Sequence, residues 1–100
     1  MSNPQNNPQQ VSQLYLKFEQ LVNEGKVEDI KIEALKLLRQ KNVLVSDVIA
    51  VVEAYKYKGS DNKKMFIMIN LYLQSGWWIE ISITQDGKAY QHVHYGNGAT

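Results

Sequence analysis

His92-Val93-His94 sets two imidazoles two residues apart, and on a β-strand that spacing aims both at the same side. Glu80 falls in a neighbouring stretch of alternating polarity, so a strand pair can bring it to the histidines. Two histidines and a carboxylate form a known divalent-metal donor set, with ligand distances of about 2.0–2.2 Å. The same Glu–His pair can also orient a general base. Against metal, the chain holds only two histidines and no cysteine. Against catalysis, Ser82 is the one nucleophile in reach, and no glycine-rich phosphate cradle accompanies it. The expectation is therefore a non-catalytic protein with no cofactor and no resident metal. A small-ligand or metal-binding domain centred on Glu80, His92 and His94 stands as an alternative.

A second cluster carries different chemistry. Lys56, Lys58, Lys63 and Lys64 interleave with Tyr55, Tyr57 and Phe66. Positive charge alternating with aromatic rings is the equipment of single-strand nucleic-acid binders. The bland counterpart is a solvated helix end followed by a loop. Nucleic acid through these lysines is the other alternative, and a winged-helix outline would suit it. The segment before the cluster, however, offers Val, Ile and Ala where a recognition helix needs polar readers.

Which side chains meet depends on the elements beneath them. Met65, Ile67, Ile69, Leu71 and Leu73 alternate with Phe66, Met68, Asn70 and Tyr72. Trp77, Ile79, Ile81 and Ile83 alternate with Trp78, Glu80, Ser82 and Thr84, and Ala89 to Tyr95 repeats the pattern. Period two predicts three strands. A one-residue slip sends every side chain to the other face, so loop length decides the pairing. A two-residue turn at Asp86-Gly87 would set both histidines among Ile79 and Ile81. A three-residue loop, Gln85-Asp86-Gly87 with Gly87 left-handed, pairs Thr84 with Lys88 and leaves the histidines outside. Gln74-Ser75-Gly76 works the same way. The rows expected on the outer face are then Tyr72–Trp78–His94, Asn70–Glu80–His92 and Met68–Ser82–Tyr90.

Helices must cover the aliphatic face. Val11, Leu14, Tyr15, Phe18, Leu21 and Val22 recur at helical spacing, and Gly25 is placed to end that helix. Val27, Ile30, Ala34, Leu37 and Leu38 mark a second helix over 27–40, with Glu28 and Asp29 in its first turn. For 43–57, Ser46 as cap and the spacing of Val48, Ile49, Val52 and Tyr55 point to a third helix, although the β-branched content favours a strand. The expected fold is α+β: two or three N-terminal helices packed on one face of a C-terminal three-stranded antiparallel meander.

Residues 1–9 are almost wholly Asn, Gln and Pro and read as a disordered tail, 10–96 as one domain, and 97–100 as a flexible end. The N-terminus lacks a signal peptide's basic and apolar regions, and no apolar run approaches the roughly 20 residues of a membrane helix. These features suit a cytoplasmic protein. The net charge of +1 excludes a global pull toward nucleic acid or membrane. A solvated sheet face is usually Thr, Lys, Glu and Ser, whereas this one carries aromatic rings, as interaction surfaces do. The function expected is a regulatory, inhibitor or accessory module. It would bind a protein partner, or a second copy as a homodimer, through Tyr72, Trp78, Glu80, Tyr90, His92 and His94.

Overall fold

The computed structural model describes residues 10–60 and 64–95, and it runs α1 (Gln13–Asn23), α2 (Val27–Gln40), β1 (Ile49–Lys58), β2 (Met65–Leu73), β3 (Trp78–Thr84) and β4 (Ala89–His94). The expected tails, 1–9 and 97–100, lie outside the described residues, as does Lys63. The class is α+β, with both helices ahead of the sheet. The sheet holds four antiparallel strands rather than three, in the order β1-β2-β3-β4.

The added strand comes from 43–57, where a third helix was expected. Ser46 caps no helix here; its neighbour Asp47 organises a turn instead. Its Oδ1 accepts from the Val48 amide at 2.7 Å and its Oδ2 from the Ser75 amide at 3.3 Å. That clamps the start of β1 to the β2–β3 turn, where the Gln74 amide also donates to the Val48 carbonyl. The β-branched residues beyond it then pair along β2, from Val51 opposite Tyr72 to Lys58 opposite Met65, after an irregularity between Ile49 and Val51. With the helix goes the winged-helix outline.

The remaining registers follow the loop argument. Leu71 lies opposite Ile79, Ile69 opposite Ile81 and Ile67 opposite Ile83. Ile83, Ile81 and Ile79 face Ala89, Gln91 and Val93. Gly76 and Gly87 adopt φ values of 103° and 94°, which close the two three-residue loops. The Leu73 amide donates to the Trp77 carbonyl and the Thr84 amide to the Lys88 carbonyl, both at 2.9 Å.

Ser12 caps α1 by accepting the Tyr15 amide at 3.1 Å. At the other end the Lys26 amide reaches the Leu21 carbonyl and the Gly25 amide the Val22 carbonyl, with Gly25 at φ 68°. This is a Schellman stop. Asn42, at φ 64°, ends α2 in the same way, its neighbour Val43 bonding back to Leu38. The Ser12 amide also donates to the Gln85 carbonyl at 2.8 Å, tying the start of α1 to the β3–β4 loop.

Tyr15 and Phe18 of α1 and Ile30, Ala34 and Leu38 of α2 meet Ile67, Ile69, Leu71, Ile79, Ile81 and Ile83 in the core. Val27, expected inside, is exposed. α1 lies across β1, β2 and β3, and α2 over β1. The helices therefore leave the β4 edge uncovered. Val93, Trp77 and Tyr95, expected on the buried face, stay exposed, with Trp77 and Tyr95 edge to face at 4.1 Å. No described helix is long and apolar enough to cross a membrane.

Candidate functional site

Neither helix touches the opposite side of the sheet through the strands' outward residues, and β1 widens that side. The row Tyr72–Trp78–His94 gains Val51, the row Asn70–Glu80–His92 gains Glu53, and the row Met68–Ser82–Tyr90 gains Tyr55. A fourth row runs from Tyr57 through Phe66 to Thr84. All six residues expected to bind a partner share this surface. Glu53, Tyr55 and Tyr57 were missed as its members because their segment read as a helix.

Rings stack continuously along the first row. Tyr72 lies 5.3 Å from Trp78 at 29°, and Trp78 lies 3.8 Å from His94 at 10°. Cross-strand aromatic pairs of this kind add roughly 0.5–1.5 kcal/mol beyond their burial. His94 also sets its Nε2 2.9 Å from Glu80 Oε1. An ionised carboxylate only accepts, so this contact places a proton on Nε2. Pairing with Glu80 and stacking on Trp78 are separate tasks that two histidines could divide. His94 performs both, reaching Glu80 along the diagonal, while His92 stands directly opposite Glu80 and leans on His94 at 4.8 Å.

The polar centre is a second small network. Glu53 Oε1 accepts from Asn70 Nδ2 at 2.9 Å and from the Tyr72 hydroxyl at 3.0 Å. Those bonds, the Asn70 one foremost, hold the Glu53 carboxyl below its usual range. Burial chiefly, and then Glu53 as acceptor, push the Tyr72 phenol above its ordinary value. Asn70 is only 6% exposed, and its Oδ1 is buried with no partner among the described residues.

Beside this network the face is indented. Tyr55, Tyr57, Phe66, Met68, Glu80 and Ser82 line an open groove of about 380 Å³. Tyr57 and Phe66 stand 6.3 Å apart at 44° at one end, and Glu80 marks the other. Ser82 makes no hydrogen bond to a base among the described residues, so no nucleophile–base pair forms here.

Glu80, His92 and His94 stand together on the outer face. Among the described residues no three His, Cys, Asp or Glu side chains converge as metal ligands, Glu80, His92 and His94 included. In the second cluster the strand parts Lys56 and Lys58 from the aromatic rings. Lys56 and Lys58 sit opposite Ile67 and Met65 on the helix side, whereas Tyr55 and Tyr57 point to the outer face. Lys56 pairs with Glu19 of α1 at 3.6 Å, and Lys64 is exposed just ahead of β2. Compared with known proteins, the chain matches no family model, no curated relative and no solved structure.

Proposed function

We propose that the protein is a small non-catalytic interaction module, regulatory or accessory in role, that binds a protein partner through the outer sheet face. The observation that carries this reading is the ring row Tyr72–Trp78–His94, continued by Tyr55, Tyr57, Phe66, Met68 and Tyr90 on a face that neither described helix covers. Tyr55, Tyr57 and Tyr90 remain 40%, 48% and 55% exposed, leaving surface that the sheet itself does not cover. Four strands at about 4.8 Å spacing and seven residues at about 3.3 Å each give roughly 450 Å² in plan. A face of that size with rings gathered on it is the kind of surface that serves binding. Trp78 and Tyr72 are the expected anchors, since interface energy concentrates in a few well-packed aromatics.

Sedimentation of the wild type and Trp78→Ala, with affinity capture by both, tests the reading. A self-associating wild type that Trp78→Ala makes monomeric identifies a second copy as the partner. A monomeric wild type requires a foreign protein retained by wild type and lost with Trp78→Ala and with Tyr72→Ala. If assembly and capture both ignore these substitutions, the outer face is not the binding surface.

A further inference from the structure

The outer face carries a second pattern besides its aromatic content, and that pattern concerns charge. Of the residues that β1 to β4 turn outward, Glu53 and Glu80 are acidic and none is Lys or Arg. The chain as a whole is net positive, at +1. The strand alternation produces this separation, sending Lys56 and Lys58 to the helix side while Tyr55 and Tyr57 stay outside. Lys88, opposite Thr84, stands at the end of the last row, but the groove itself is lined by rings and one carboxylate with no cation, which makes it complementary to positive charge.

The groove concentrates both features. Tyr55, Tyr57 and Phe66 supply π faces, Met68 a flexible apolar surface, and Glu80 with Ser82 the acceptors. A cation over a tyrosine or phenylalanine face gains most when it is desolvated, and guanidinium does so more readily than ammonium because it is planar and weakly hydrated. Glu80 is held ready for such a group. Its Oε1 is fixed by His94, while its Oε2 has no hydrogen-bond partner among the described residues. Rows on one sheet face lie about 6.7 Å apart, so a side chain as long as arginine can lay its stem on Met68 and reach Glu80. A hydrophobic side chain would fill the aromatic end and leave that carboxylate facing a dry contact, which is costly.

We propose that this groove binds an arginine side chain presented by a basic segment of a partner protein. The proposal rests on the outer face being the interaction surface, and it names the chemistry that surface selects. The test uses the wild-type protein with capped peptides of glycine carrying one central arginine, or citrulline as its neutral isostere. Backbone amide NMR shifts are followed during titration. The arginine peptide should move the signals of Tyr55, Met68 and Ser82, and bind about tenfold or more tightly than the citrulline peptide, the factor expected of one charge-assisted hydrogen bond. Added salt should narrow the gap. Glu80→Gln should abolish it, and Tyr55→Leu, in the row of Met68, should weaken the arginine peptide alone, each variant first shown to melt like wild type.

Equal binding of the two peptides would overturn the proposal, as would shifts that map away from the groove or an absent response. If the arginine peptide fails while Trp78→Ala still disrupts assembly or capture, the arginine site alone is wrong. If both fail, the outer face is wrong with it.

Discussion

Gly87→Ala isolates the contact that joins the helical layer to the last hairpin. At φ 94° the Gly87 backbone occupies a region that L-residues avoid at a cost of roughly 1–2 kcal/mol. A Cβ built there would lie 2.9 Å from both Cβ and Oγ of Ser12. Ser12 must then move, and its Oγ is the N-cap acceptor of α1, a contact whose loss costs about 1 kcal/mol. The sum is about 2–3 kcal/mol, a large share of the roughly 5–15 kcal/mol that stabilises a small domain. Thermal unfolding followed by circular dichroism should show a midpoint lower by roughly 10–20 °C. Ser12→Gly separates the two parts, because it removes both clashing atoms and glycine at an N-cap costs only a few tenths of a kcal/mol. In that background Gly87→Ala should cost only the backbone part, leaving a coupling of about 1 kcal/mol. Strict additivity to within about 0.5 kcal/mol would refute the Ser12 contact, since independent sites add that closely.

Ile81→Ala, at 1% exposure in the middle of the sheet, should cost roughly 2–5 kcal/mol in urea unfolding. Ser82→Ala, one residue along on the outer face, should stay within about 0.5 kcal/mol, and equal losses would mean both faces are packed within the monomer. Glu53 has a depressed folded-state pKa, so its bonds to Asn70 and Tyr72 stabilise the fold at neutral pH and are lost as pH falls through that value. Carbon NMR titration should place its midpoint below that of an unstructured peptide, and Glu53→Gln should reduce the stability lost between pH 6 and acid. Lys56→Ala breaks a partly exposed ion pair and should cost no more than about 1 kcal/mol, less in high salt.

The residues that made the outer face legible were those whose loops permit one good register. Gly76 and Gly87 each require a positive φ, and of the two possible loop lengths only the longer one kept the histidines off the isoleucines. Those constraints are local, so sequence alone could supply them. β1 was different, because Ser46 and the spacing of Val48, Ile49, Val52 and Tyr55 satisfy a helix template as well as a strand. What decides it is a tertiary fact: β2 needs a neighbour on each side. Its own composition carried that signal. Phe66, Met68 and Tyr72 alternate with Ile67, Ile69 and Leu71, so both faces are apolar, as in a strand interior to a sheet. The diagonal reach of His94 to Glu80 had no such signal, because rotamers chosen by stacking on Trp78 leave no trace in residue spacing.

The bond from the Ser12 amide to the Gln85 carbonyl links the first turn of structure to nearly the last. Each hairpin of the sheet can zip from its own turn, but this link closes residues 12–85 as one loop. On a ribosome, α1 and α2 emerge before any strand exists to cover Tyr15, Phe18 and Leu38. Helices of 11 and 14 residues are marginal alone in water. The growing chain must therefore hold its apolar stripes open until β2 and β3 arrive. The clasp at Gly87 forms only after both helices and the first three strands have been made. Interactions that form after the rate-limiting step govern unfolding more than folding. Loosening that clasp should accordingly shorten the lifetime of the finished protein while barely slowing its formation.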